Sequence, residues 1–165
     1  MLKTILILCS FLTVAAGIGS TQPAVRVEPS ELQGPRPLSE QTGRAAVRDY
    51  LQSWQSLKLA LEQNRSDLLD PAFVGTAKDK LSETVQQQAV LGIVTRYQDT
   101  SHDIKIVFYS PEGLSIELAD KVEYDVQVIL HDGVKMTQHV TARYVIVLTP
   151  AEVRWRVRVF QAEPE

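Results

Sequence analysis

The chain has 165 residues, which is enough for one domain with a sizeable hydrophobic core and a short appendage. Hydrophobic residues make up 44% of the sequence and charged residues 22%, and this composition excludes a chain that is disordered throughout. The net charge of −3 argues against nucleic acid as a partner, because phosphate binding needs a basic surface.

Residues 1–20 have the layout of a secretory signal peptide. Lys3 is the only charged residue, an apolar run follows it, and Ala15, Ala16 and Gly17 supply the small residues of a cleavage site. We expect cleavage between Ala16 and Ser20 and a periplasmic or secreted mature protein. The alternative is an uncleaved membrane anchor, which the short apolar run disfavours because a span needs about 20 apolar residues.

Residues 21–41 are predicted to form a tether. This segment contains half of the eight prolines of the chain and shows no periodic apolar pattern. Pro-rich segments favour extended, semi-rigid conformations. We therefore expect a spacer between the signal peptide and a folded domain at 42–162, with 163–165 as a tail.

Two long helices and one short helix are predicted for the first half of the domain. Apolar residues recur at spacings of three and four over 43–63, with Thr42 as the N-cap. A short apolar segment at 68–74 contains Pro71, which favours a helix start. A second apolar stripe predicts a helix from Thr76 to about Tyr97, weakened by Gly92 within it.

Residues 102–160 are predicted to form four strands, because apolar and polar side chains alternate there. Turns are predicted at 110–113, 132–134 and 149–152. One face of this sheet is apolar and the other is charged, as expected for an antiparallel sheet that is covered on one side. The main residues assigned to the apolar face are Ile104, Ile106, Phe108, Leu118, Val122, Tyr124, Val140, Tyr144, Ile146, Leu148, Val153, Trp155, Val157 and Val159.

The parity of the apolar positions predicts the register of the second and third strands. A three-residue loop at 132–134, with Gly133 at positive φ, places Glu123 opposite Arg143 and Gln127 opposite His139. A two-residue turn is excluded unless a β-bulge intervenes.

The last loop, at 149–152, is predicted to have four residues. It pairs Leu148 with Val153. The same register places Arg143 opposite Arg158, where two like charges are unfavourable.

The order of the elements, the run TARYVIVL at 141–148 and the run RWRV at 154–157 resemble the nuclear transport factor 2-like superfamily. The resemblance covers about residues 42–161. It implies an α+β fold in which two long helices and one short helix pack on the concave face of a curved antiparallel sheet of four or more strands. It also implies a pocket between the helices and the sheet. Members include isomerases, dehydratases, ligand binders and assembly modules, so the resemblance predicts the fold more than the function.

The sequence lacks the motifs of the common cofactor and metal sites. It contains no Gly-rich phosphate loop, no HExxH and no cysteine cluster. His102, His131 and His139 are expected at a strand start, in a turn and on the outer face of the sheet. We therefore predict no metal and no cofactor. Cys9, the only cysteine, lies in the predicted signal peptide, so the mature chain would have no disulfide.

Asp120 is the candidate catalytic residue. It has the parity of the apolar face, between Leu118 and Val122, so a regular strand would direct its carboxylate into the cone. There it could serve as a general base, with Tyr124 and Tyr144 as hydrogen-bond donors. The favoured interpretation is instead a bend or bulge that turns Asp120 to solvent and leaves no catalytic residue.

Seven aromatic residues converge on the predicted core and form the candidate pocket for a small apolar ligand. The alternative is that they only fill the core. The seven are Tyr50, Trp54, Tyr97, Phe108, Tyr124, Tyr144 and Trp155.

Four arginines form the candidate protein-interaction face. Arg154, Arg156 and Arg158 alternate along the last strand, and Arg143 lies on the strand before it. They are either solvated side chains that cover neighbouring apolar residues or a docking face for an acidic surface. The acidic surface would belong to a partner protein or to a second copy of the same sheet in a homodimer.

Three classes of function follow. The first is an exported non-catalytic module that binds protein or holds an envelope assembly together, and this is the one we favour. The second is a carrier for a small apolar ligand. The third is an isomerase or dehydratase that uses Asp120. We expect membrane contact only through an uncleaved N-terminus.

Overall fold

The structure is a computed structural model and describes residues 22–30, 32, 36–131 and 133–163. Its elements are, in chain order, β1 Ala24–Val27, α1 Glu40–Gln63, a 3-10 helix Ser66–Leu69, α2 Gly75–Val90, β2 Val94–Tyr109, β3 Ile116–Leu130, β4 Gly133–Pro150 and β5 Trp155–Ala162. The strands form one sheet in the order β1-β2-β3-β4-β5. The predicted α+β fold, with two long helices, one short helix and a curved sheet, is confirmed. The predicted signal peptide lies outside the described residues.

Helix α1 begins three residues earlier than predicted. Ser39 is the N-cap, and its Oγ accepts a hydrogen bond from the backbone N–H of Thr42 at 3.1 Å. The prediction of Thr42 as the N-cap is therefore wrong, because the hydroxyl of Ser39 already satisfies that free donor of the first turn. The helix ends at Gln63, and the C-cap residue Asn64 has a φ of 53°, which lies in the left-handed region.

Helix α2 is shorter than predicted. It ends at Val90, and Gly92 follows with a φ of 65°, which is typical of the residue that terminates a helix. Val94 then begins β2, so the predictions of a helix to Tyr97 and of a first strand from His102 are both wrong. Apolar residues four apart at Ile93 and Tyr97 fit a helix and a strand equally well, since four is also a multiple of two.

Strand β1 lies in the segment that was predicted to be a tether. Ala24–Val27 pairs parallel to β2, with Val25 beside His102 and Val27 beside Ile104. The prediction of an extended tether outside the folded domain is wrong for these four residues, because they form the edge strand of the sheet. All four residues are exposed, so the alternation of buried and exposed side chains by which a strand is usually predicted is missing here.

The register of β3 and β4 differs from the prediction by two residues. Glu123 lies opposite Thr141 and Gln127 lies opposite Thr137, rather than Arg143 and His139. The loop is shorter than predicted because β3 extends to Leu130, β4 begins at Gly133, and a bulge beside Ile129 restores the parity. The φ of Gly133 is positive, 117°, as predicted.

The register of β4 and β5 is also different. Leu148 pairs with Val157, and Val153 is 84% exposed in the connecting loop. A bulge between Val147 and Leu148 shifts the register, and it brings Phe160 opposite Ile146. The predicted pairing of Leu148 with Val153 is therefore wrong.

The core lies between α1 and the concave face of the sheet. Helix α1 contacts β2 and β5, and α2 contacts β5. Trp54 of α1 is at the centre, and its indole ring contacts the rings of Tyr97, His102, Tyr124 and Tyr144 at centroid distances of 5.3 to 6.2 Å. Among the described residues, no helix has the length and apolar character needed to cross a membrane.

Candidate functional site

Asp120 points into the core. Its exposed fraction is 0%, and β3 runs unbroken through it, with Ile104 of β2 on one side and Tyr144 of β4 on the other. The preferred interpretation of a bend that turns Asp120 to solvent is therefore wrong. The parity argument that placed its carboxylate inside the cone is correct.

Two side chains share one oxygen of Asp120. The hydroxyl of Tyr50 donates to Oδ2 at 2.7 Å, and Nδ1 of His102 lies 2.7 Å from the same atom. Both distances are within the range of well-formed hydrogen bonds. Burial, and then the charge of Asp120, raise the pKa of Tyr50 well above its ordinary value, so Tyr50 remains a donor. The other oxygen, Oδ1, has no partner among the described residues.

His102 is the functional candidate that sequence reasoning missed. It is 1% exposed, its ring stands edge-on to Trp54, and its Nε2 atom has no hydrogen-bond partner in the described chain. The available signal was its parity, which is the same as that of Ile104 and Ile106 on the core face. Asp120 and His102 meet because β2 and β3 are neighbours, with Val122 directly opposite His102.

Two further buried carboxylates attach α1 to the sheet. Asp99 of β2 accepts hydrogen bonds from Trp54 Nε1 at 2.9 Å and from Lys58 Nζ at 2.5 Å. Asp49 of α1 accepts hydrogen bonds from Arg48 and from the backbone N–H of Trp155 at 2.8 Å. These bonds fix the position of α1 over β2 and β5 and thereby the position of Tyr50 over Asp120.

Most of the seven predicted pocket aromatics pack against one another. The hydroxyl groups of Tyr124 and Tyr144 are 2.9 Å apart, and Tyr97 lies against Tyr124 with ring centroids 4.9 Å apart. Burial raises the pKa of Tyr97 to about 12 and is also the main cause of a raised pKa at Tyr144. Trp155 packs at the border of the core.

Phe108 is the exception among the seven. A bulge between Ile106 and Phe108 turns its ring away from the core, and it is 47% exposed, so its assignment to the pocket is wrong. Phe160, which was not predicted, stacks on Tyr144 with ring centroids 4.8 Å apart.

A groove of about 1150 Å³ lies between α1 and the edge strand β1. Val25 and Val27 line it on the sheet side, and they are 45% and 49% exposed. Val47, Leu51 and the side chains near them line it on the helix side. None of the seven predicted pocket aromatics lines this groove, whereas His102 does.

The four arginines of the predicted interaction face have different environments. Arg156 donates to the backbone oxygens of Asp70 and Phe73, and Arg143 forms an ion pair of 3.0 Å with Glu163. The predicted opposition of Arg143 and Arg158 is wrong, because Arg143 lies beside the end of β5, where the N–H of Glu163 donates to its carbonyl.

The part of the chain that the structure describes contains no group of three His, Cys, Asp or Glu side chains placed to hold a metal ion.

No model of a known protein family matches the chain, and no curated protein matches it. Solved structures do match. The chain is similar to the intermembrane space region of the chloroplast protein ARC6, with 14% identity, a TM-score of 0.64, and coverage of 77% of this chain and 98% of that one. It is also similar to a candidate scytalone dehydratase from Novosphingobium aromaticivorans, with 12% identity, a TM-score of 0.53, and coverage of 76% and 89%.

A third similar structure is a periplasmic fragment of TraM, with 11% identity, a TM-score of 0.50, and coverage of 73% of this chain and 98% of that one. At such identities the likeness concerns the fold alone. The chain adopts the nuclear transport factor 2-like fold. This fold carries both enzymes and assembly modules, so the function has to be argued from the site.

Proposed function

We propose that the chain is an exported, non-catalytic module that binds another protein in the cell envelope. The observation that carries this proposal is the position of the large cavity. The aromatic centre of the cone packs on itself, while the 1150 Å³ space is an open groove at the edge of the sheet. A small ligand is usually held in an enclosed pocket, whereas an open groove beside an edge strand suits a polypeptide.

Two other features support a role in the envelope. Residues 1–20 have the layout of a signal peptide. ARC6 and TraM, whose domains share this fold, are represented by an intermembrane space region and a periplasmic fragment. The predicted arginine face receives less support as the docking site, because Arg143 and Arg156 already have partners within the chain.

Site-specific photocrosslinking tests the proposal. A photoreactive phenylalanine analogue replaces Val27 in the groove, and the matched control replaces Val153, which is 84% exposed in the loop before β5, away from the groove. We expect one crosslinked protein at Val27 after irradiation of envelope fractions, and none at Val153. Equal products at both positions, or none at Val27, would contradict the proposal.

Proton-transfer chemistry on a small molecule is the second candidate. It is favoured by the buried Tyr50–Asp120–His102 arrangement, because an imidazole held by a carboxylate at Nδ1 can exchange a proton at Nε2. An enzyme of this kind would lose turnover in Asp120→Asn with the fold intact. A carrier for a small apolar ligand, which the predicted aromatic pocket suggested, would need a cavity among those rings. The rings pack against one another instead.

A further inference from the structure

The first half of strand β4 has one edge without a neighbouring strand. Strand β5 pairs with β4 from Tyr144 to Pro150, and the N–H of Glu163 donates to the carbonyl oxygen of Arg143 at 2.8 Å. Before Arg143, no strand in the described part of the chain pairs with β4 on that side. Residues 133–139 are exposed. We call the stretch Met136–Ala142 the open edge of β4.

Alternate residues of the open edge direct their backbone groups outward. The carbonyl oxygen of Arg143 points to the β5 side, because it accepts a hydrogen bond from the residue that follows β5. In a regular strand the N–H and C=O groups of every second residue point to the same side. Strand β4 pairs with β3 without a register shift over residues 136–148. Thr137, His139 and Thr141 therefore present their N–H and C=O groups where another strand could bond to them.

The open edge lacks the features that usually protect an edge strand from pairing with another chain. Those features are prolines, charged side chains, a short strand or a covering segment. Strand β1 has four residues and lies between Pro23 and Pro29, and the outer edge of β5 is bonded to Ala72 and Val74. Met136–Ala142 contains no proline and no Lys, Arg, Asp or Glu. This stretch is therefore suited to pairing with a further strand.

The side chains of the open edge are arranged symmetrically about Gln138. Apolar Met136 and Val140 precede and follow it on the core face of the sheet, while polar Thr137 and His139 lie on either side of it on the outer face. A strand with this symmetry is complementary to a second copy of itself in antiparallel orientation, as the two-fold axis of a dimer requires. The edge therefore specifies another copy of this chain as its occupant.

An antiparallel pair centred on Gln138 matches like with like. Met136 would lie opposite Val140 of the second copy, and the two Gln138 amides could each donate to and accept from the other. Thr137 would lie opposite His139, and both direct their backbone groups outward, so they can bond to each other. A shift of two residues in either direction would place the Gln138 amide opposite Met136 or Val140, against an apolar side chain.

The same register fits the two ends of the stretch. Lys135 would lie opposite Thr141 of the second copy, so no two like charges face each other. Arg143, where Glu163 already occupies the edge, would lie opposite Gly133, beyond the paired stretch. The end of β5 therefore leaves the second copy room to pair.

We propose that two copies of the chain pair through the open edge of β4, antiparallel and centred on Gln138, so that their two sheets continue as one. The contact uses the edge of the sheet and not its arginine face. Strands β2 and β3 separate this edge from β1 and the groove, so the pairing does not depend on the proposed function.

Sedimentation equilibrium of the full mature chain at low salt tests the pairing. The dimer fraction of the wild type should rise with concentration. Gln138 is exposed, so a charge at this position should leave the monomer folded. Gln138→Lys and Gln138→Glu should each weaken the dimer at least about tenfold, because two identical charges then face each other across the two-fold axis. An equimolar mixture of these two variants should dimerise within about threefold of the wild-type affinity, because opposite charges then meet.

Gln86→Lys, at an exposed position of α2, is the matched control and should leave the dimer unchanged. Circular dichroism checks that each variant is folded. A wild type that stays monomeric at every concentration would overturn the proposal, and so would Gln138 variants that dimerise as tightly as the wild type. A mixture that dimerises no more tightly than either variant alone would overturn the two-fold pairing at Gln138.

Discussion

Asp49 and Asp99 differ from Asp120 in how their carboxylates are satisfied, although all three are buried. Both oxygens of Asp49 and of Asp99 accept hydrogen bonds, and each carboxylate has a Lys or Arg partner. Asp120 is within hydrogen-bond distance of Tyr50 and His102 at Oδ2, and its Oδ1 has no partner in the part of the chain that the structure describes. The first two carboxylates are complete structural links, whereas the third has one oxygen without a partner among the described residues and contacts His102, which lines the groove.

The largest effect is expected for Asp49→Ala. The substitution leaves the N–H of Trp155 without its acceptor and separates α1 from β5. We expect the free energy of unfolding to fall by about 3 kcal/mol. Urea denaturation measures it, with Asp79→Ala on the exposed face of α2 as the matched control, which should change stability by less than about 0.5 kcal/mol. A loss below 1 kcal/mol for Asp49→Ala would show that Asp49 is not such a link.

Asp99→Asn is expected to cost about 2 kcal/mol. An amide keeps an acceptor for Trp54 Nε1, but it removes the charge that balances the largely buried Lys58. Thermal unfolding by circular dichroism measures the loss. Restoration of most of the stability in the double variant Asp99→Asn, Lys58→Met would confirm that the unbalanced ammonium group is the cause, and no restoration would contradict it.

Asp120→Asn should change stability by less than about 1 kcal/mol. The amide oxygen can still accept from Tyr50 and His102, so both hydrogen bonds of the carboxylate can be kept. The same urea titration compares it directly with Asp99→Asn. If the two variants lose equal stability, the distinction between complete and incomplete carboxylates is wrong.

The smallest effect is expected from the ionisation of Tyr50, which changes the free energy of unfolding only in alkali. Its pKa is higher in the folded chain than in the unfolded chain, so its contribution is fully present below about pH 10 and is lost as the pH rises above that value. Tyr50→Phe should therefore lose less stability than the wild type between about pH 9 and about pH 11. Equal losses would contradict a buried Tyr50 hydroxyl.

Sequence periodicity was sufficient for the fold class and for the core-facing parity of Asp120, although the favoured interpretation of that residue was a bend to solvent. The alternation through Leu118, Asp120 and Val122 holds because β3 is regular there. It failed wherever a bulge resets the alternation, at Phe108 and between Val157 and Val159. A bulge is a local backbone adjustment driven by packing, so its position cannot be predicted from the residue types around it.

The site could be predicted only in part. His102 shares the parity of Ile104, but its partnership with Asp120 depends on the register of β2 and β3, which includes two irregularities. The groove depends on β1, whose four residues carry too short a pattern to be recognised. A histidine that is far from its carboxylate in the sequence becomes a candidate only when the sheet is assembled.

Strand β1 is hydrogen-bonded to one neighbouring strand among the described residues, and this affects which part of the sheet unfolds first. Strand β3 is bonded along both edges, whereas β1 is exposed and bonded along one edge. Its amides should exchange with deuterium long before those of β3, through a local opening that leaves the rest of the sheet folded. When β1 separates from β2, the groove loses one wall. The groove therefore exists only in the molecules in which β1 is paired with β2. A polypeptide bound in the groove would contact Val25 and Val27, hold β1 in place and selectively slow the exchange of these few amides.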